Sequence, residues 1–156
     1  MVTGVVQRYV GRNVSINLGK VDALLTENEQ VKGEKFEPTQ RVKVYVLEVK
    51  NTTKGPKVMV SRTNPELVKR VFESEVSEVA EGIVEIKSIA REAGSRTKMA
   101  VWSNDPDVDP VGACVGMNGA RVNAIVGELR GEVIRHDVAK YVPETDYVVK
   151  VIDRHG

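Results

Sequence analysis

Apolar and polar residues alternate with period two through much of residues 1–62. In "NVSINLG", Val14, Ile16 and Leu18 face one way while Ser15 and Asn17 face the other, the pattern of a half-buried strand. "VTGVVQRYV" is β-branched and ends at Gly11, and "VDALL" follows Gly19-Lys20. A polar, helix-poor stretch then runs to Pro38. "RVKVYVLEVK" reads as a long strand; the turn signal "NTTKGP" interrupts it, and "KVMVS" returns as its hairpin partner. Five strands without a long helix predict a small closed all-β barrel over residues 1–62, for which the OB fold is the commonest solution.

The period changes after Arg62. Asn64-Pro65 is an N-cap followed by proline at the first helical position, where a missing N–H is harmless. "PELVKRVFESEV" places Leu67, Val71 and Phe72 on one side, so residues 63–81 are expected to form a linker helix. The remainder, 82–156, predicts an α+β domain. Its strands are "IVEIKSIA" and "RTKMAVWS", separated by the turn "REAGS". "VGACV" follows as a short helical turn, and a helix over 120–130 places Val122, Ile125, Val126 and Leu129 at i, i+3, i+4 and i+7. Gly131 ends that helix, "EVIRHDV" is a further strand, and "YVVKVID" adds a last one after Pro143.

Charge divides the chain the same way. Residues 1–62 carry 11 Lys+Arg against 6 Asp+Glu, whereas 63–156 carry 12 against 16, so a net charge of +1 hides a basic half and an acidic half. A basic half suits a polyanion. The acidic patch Glu73, Glu75, Glu78, Glu81 and Glu85 suits either a solvated helix face or a basic partner. Apolar content of 41% supports a packed core. No apolar run reaches the length of a membrane span, no secretory signal opens the chain, and the single cysteine gives no disulfide framework; together these predict a cytoplasmic protein. Cys114, His136 and His155 do not make a zinc site.

Candidate chemistry concentrates at Gly116 and Gly119, three apart between two helical patterns. A Gly-x-x-Gly turn lets a backbone approach closely and presents helix N–H groups, which suits a phosphodiester; it equally suits a plain helix–helix turn. A nucleoside-triphosphate loop is excluded because Ala120-Arg121 follow Gly119 in place of lysine and a hydroxyl. A dinucleotide fingerprint would need glycine at Cys114. A calcium loop from Asp105, Asp107 and Asp109 fails at Pro110 and Gly116, so those aspartates read as turn and cap residues. Ser61, Ser88 and Ser95 lack a histidine in a recognisable arrangement, and Cys114 reads as core. No catalytic residue, cofactor or metal is expected, a metal-dependent phosphodiesterase using Asp105 and Asp107 being the remote alternative.

The order helix, strand, strand, helix, Gly-x-x-Gly, helix, strand resembles a type II KH domain, whose loop clamps about four nucleotides. The run "SNDPDVDPVGACVGMNGARVNAIVGEL" resembles, more specifically, the first KH domain of the NusA family of bacterial transcription factors. The preceding "VLEVKNTTKGPKVMVSRTNPELVKRVFESEVSEVAEGIVEIKSIAREAG" resembles that family's S1-type OB domain, linker helix and KH start, and the likeness covers residues 4–134. It implies a non-enzymatic, monomeric, single-stranded RNA-binding module of a factor acting in transcription elongation, termination and antitermination. Its partners would be the nascent transcript and the RNA polymerase complex. It assigns RNA contact to Gly116, Met117, Asn118 and Gly119, continued along the second helix by Arg121, Val122 and Ile125. On the barrel it points to Arg12, Lys20 and Tyr45.

Three features depart from the family pattern. Met117 and Asn118 stand where a lysine is usual, and Tyr9 is the only aromatic in "YVGRNVSINLG". The tail "RHDVAKYVPETDYVVKVIDRHG" differs from a continuation into a second KH domain, and the polymerase-binding N-terminal domain is missing, so a truncated, chimeric or redesigned module is expected. The alternative function is a protein-interaction scaffold of KH fold that has lost RNA.

Overall fold

The computed structural model describes residues 1–134 and 137–142. The chain divides into two compact units, Met1–Leu67 and Val68–Gly156. That division falls inside a helix, five residues beyond the boundary at Arg62 that the change of period marks.

The first unit holds strands β1 (Val2–Val10), β2 (Asn13–Asn17), β3 (Asp22–Leu25), β4 (Arg41–Thr52) and β5 (Gly55–Ser61), closed in the order β1-β2-β3-β5-β4. Neighbours are antiparallel except β3 and β5, which run parallel. Alternation along each strand sends one set of side chains inward: Val6, Val14, Ile16, Ala23, Leu25, Val42, Val44, Val58 and Val60 form one buried cluster with Phe36. Gly4 is fixed by this packing. A Cβ there would stand 2.3 Å from Ile16 Cγ2, so no larger residue fits between β1 and β2 without moving them.

The polar stretch before β4 is fastened rather than loose. Arg62, only 1% exposed, donates from Nη2 and Nε to both carboxylate oxygens of Glu34 and from Nη1 to the Lys43 carbonyl at 2.8 Å. A buried guanidinium needs such complete pairing, because desolvating it unpaired is costly. Ser61 Oγ accepts from the backbone N–H of Thr63 and Asn64, and Asn64 Oδ1 accepts from Glu66 N at 2.9 Å, which caps helix α1 (Pro65–Glu75).

The second unit continues with α2 (Ser77–Ala80), β6 (Val84–Glu92), β7 (Arg96–Ser103), α3 (Pro110–Val115), α4 (Ala120–Glu128) and β8 (Val138–Lys140). β6 and β7 are antiparallel, and β8 joins β7 in parallel to make a three-stranded sheet. Thr97, Met99 and Val101 share the buried face of β7, and α3 lies against all three strands. Glu132, fully buried, accepts from Arg91, from the Gly94 backbone N–H and from Thr97 Oγ1, tying the chain beyond α4 to the β6–β7 hairpin. These bonds hold residue 132 out of the strand that "EVIRHDV" predicts: Val133 makes a single bridge to Arg96, and regular pairing starts at Val138. His136 and the expected strand "YVVKVID" lie outside the described residues.

Candidate nucleic-acid interface

Two short helices and the turn between them form the site. Asp109 caps α3, its Oδ1 accepting from Val111 N at 3.1 Å, and Pro110 occupies the first helical position. Gly116 stops α3 with φ +81°, ψ 169°, its N–H donating to the Gly112 carbonyl. A Cβ at Gly116 would lie 2.8 Å from Arg121 N and 2.9 Å from Arg121 Cβ, so the start of α4 is packed directly on a position that admits only hydrogen. Asn118 (φ 54°, ψ 26°) and Gly119 (φ 76°, ψ 14°) then take two left-handed steps through a single 3-10 turn into α4. Gly119 is the N-cap of α4 and supplies no side-chain cap, which leaves the positive end of the helix without a resident acceptor side chain. Met117 is 85% exposed and Asn118 is exposed, so none of the described residues walls off the apex.

Arg121, which the family resemblance assigns to RNA contact, is bonded within its own unit. Its Nη1 donates to Glu78 Oε2 at 2.7 Å and to the Ala113 carbonyl at 2.8 Å. One guanidinium therefore satisfies an end carbonyl of α3 and joins α2 to the turn. That hydrogen bond, with a smaller one from Ser77, lowers the Glu78 carboxyl from 4.5 to about 2, and the same pairing raises Arg121 above its usual range. Arg121 is thus engaged within the fold. Val122 and Ile125 are both 0% exposed and belong to the core face of α4.

The barrel residues do not converge. Arg12 lies in the turn before β2 and Lys20 in the turn after it, at opposite ends of that strand. Arg12 makes an exposed 3.4 Å pair with Glu27, Lys20 is exposed, and Tyr45 is half-buried on β4. Cys114 is fully buried, and burial pushes its thiol up to about 12, which removes it as a nucleophile. Asp105 Oδ1 accepts from Asp107 N, the turn role its spacing predicts. No group of three or more potential metal ligands occurs among the described residues, and no helix there is long and apolar enough to cross a membrane.

Residues 62–139, half the chain, match the family described as NusA-like first KH domain, and the chain belongs to that family. It is 55% identical over 134 residues to the transcription termination/antitermination protein NusA of Bacillus subtilis, covering 86% of this chain and 36% of that protein. The Halalkalibacterium halodurans protein of the same name is 48% identical over 153 residues, 97% of this chain and 40% of its own length. The Thermus thermophilus one is 48% identical over 135 residues, 86% of this chain and 35% of its own. The chain thus spans 35–40% of the length of these curated relatives. Similarity over 97% of the chain also carries the likeness beyond residue 134 and into the tail, where the sequence reading expected it to end.

Proposed function

We propose that this chain is a non-enzymatic, single-stranded RNA-binding portion of a transcription termination/antitermination factor, working in the bacterial cytoplasm on the transcript beside RNA polymerase. The observation that carries the reading is the turn Gly116–Gly119, exposed at Met117 and Asn118 and left-handed at Asn118 and Gly119, which leads into a helix end without a side-chain cap in a chain of the KH family just described. A phosphodiester laid over the apex would meet the uncapped N-terminal end of α4, which Gly116 lets pack directly against the turn. Met117 and Asn118 would contact the nucleotide at the apex. Arg121 would act through the turn it holds.

The first unit we assign as an S1-type OB barrel, residues 1–62, followed over 63–81 by a linker in which the expected single helix is two, α1 and α2, broken at the extended Val76, and by a type II KH domain from residue 82. Its closed order β1-β2-β3-β5-β4 supports that assignment. The barrel would add phosphate contacts through Arg12 and Lys20, with Tyr45 alongside. Titration of the full chain with a labelled single-stranded RNA over a salt series tests the proposal. About four neutralised phosphates give a slope of log affinity against log salt near roughly −3. Absence of binding at low salt would leave the protein-interaction scaffold as the better reading.

A further inference from the structure

The chain has four methionines and one cysteine, the side chains that a peroxide oxidises most readily. The fold shields them unequally. Met99 is 1% exposed on the buried face of β7, and Met1 and Met59 are half-buried. Cys114 is fully buried, and its thiol, pushed up to about 12, holds too little thiolate to react. Met117 alone among the five is exposed, at the apex of the turn between α3 and α4. Susceptibility follows access, so its thioether is the sulfur most open to an oxidant.

That sulfur stands where the turn has least charge to offer. No residue from Gly116 to Ala120 is charged, and Arg121 is bonded to Glu78 and the Ala113 carbonyl. Apolar contact at Met117 therefore matters more here than it would beside a lysine. Oxidation changes that contact in kind. One peroxide oxygen passes to the sulfur, the O–O bond breaks and the other oxygen leaves as water; the sulfur loses two electrons and the peroxide gains them. The side chain stays neutral but turns polar, with a strong acceptor oxygen in place of a thioether. Two residues on, Gly119 opens α4 without a side-chain cap, so N–H groups there suit that oxygen as well as a phosphate. An acceptor carried by the protein competes with a phosphodiester, and the loss of apolar surface works in the same direction.

We propose that Met117 is a redox-modification site: hydrogen peroxide converts it to the sulfoxide, which lowers the affinity of the turn for single-stranded RNA, and reduction to the thioether restores it. The inference rests on the RNA-binding reading given above and adds to it a means of regulation. Reduction closes the cycle with a dithiol, which becomes a disulfide while the sulfoxide oxygen leaves as water. The fold beneath the apex is untouched, because the altered side chain is exposed.

The test treats the full chain with graded hydrogen peroxide, follows each methionine by peptide mass spectrometry, and measures anisotropy of a labelled oligouridylate across a salt series. Met117 is expected to oxidise ahead of Met59 and Met99. Affinity should fall about fivefold, equivalent to roughly 1 kcal/mol, in step with the sulfoxide at Met117. The salt slope should not change, because the new group is neutral. Methionine sulfoxide reductases of both epimer specificities, supplied with dithiothreitol, should return the affinity to its starting value. Met117→Leu keeps the other sulfurs and should hold its own starting affinity through the same treatment. If the untreated chain binds RNA but full conversion of Met117 leaves affinity unchanged, or Met117→Leu loses as much as the wild type, the modification site is wrong while the RNA-binding reading stands. Oxidation of Met59 or Met99 before Met117 overturns it too. If the untreated chain does not bind RNA at all, both fall.

Discussion

The turn between α3 and α4 and the hairpin between β4 and β5 handle charge in opposite ways. From Gly116 to Arg121 the only cation is Arg121, and it is spent on Glu78 and the Ala113 carbonyl. The hairpin presents Lys54 and Lys57 with no acid to meet them among the described residues. A strand held at the turn would be held by backbone geometry and apolar contact at Met117. One held by the barrel would be held by charge. The first kind of contact is nearly indifferent to salt, and the second is steeply dependent on it.

Arginines that are tied into the fold should show their worth in stability, and here the expected effects are largest. Glu34→Ala strands the buried Arg62 guanidinium and should cost about 3–5 kcal/mol, read as a lower urea midpoint. Glu132→Ala should do the same to Arg91 in the second unit, where Trp102 fluorescence reports unfolding. The exposed Arg12–Glu27 pair sets the scale from below: Arg12→Ala should change stability by less than about 1 kcal/mol. Equal effects from buried and exposed pairs would break the comparison at its base.

Gly116→Ala comes next. It places a Cβ on the Arg121 backbone at a positive φ and should cost on the order of 2 kcal/mol. Weaker RNA binding should follow, because α4 no longer seats on the turn. A variant with unchanged stability and affinity would show that the close approach is dispensable.

The clamp on the turn gives a smaller effect with a defined pH window. Glu78 sits at about 2 in the folded protein against an ordinary 4.5, so its contribution is full above pH 4.5 and is lost as pH falls toward 2. Glu78→Gln should lower stability by about 1 kcal/mol at neutral pH and flatten the acid limb of the wild-type curve; an unchanged limb contradicts the pairing. For RNA, Arg121→Gln should weaken binding without altering the salt slope. A slope shallower by roughly 0.7 would make Arg121 a phosphate contact after all.

Much of the architecture could be read from alternation. "VTGVVQRYV" and "RTKMAVWS" coincide with β1 and β7 because each carries its own inward and outward faces, which no distant residue has to supply. Glycine chemistry likewise located the turn. What stayed hidden depends on residues far apart in the chain: Glu34 with Arg62, Arg91 with Glu132, and Glu78 with Arg121 sit 28 to 43 positions apart, and no local spacing announces them. The burial of Val122 and Ile125 was legible in another way. Their i, i+3 spacing was the very signal that made α4 amphipathic, and an apolar stripe that builds a helix is normally the stripe the helix buries. Met117 lies outside that periodicity and is exposed.

The most direct test of the central claim alters the apex and nothing beneath it. Met117→Asp combined with Asn118→Asp puts two carboxylates where a phosphodiester would lie, on side chains that are exposed. RNA affinity measured alongside the urea midpoint should fall to the limit of detection at low salt, with the midpoint unmoved. Wild-type affinity in the folded double variant would contradict the account and place the RNA site elsewhere.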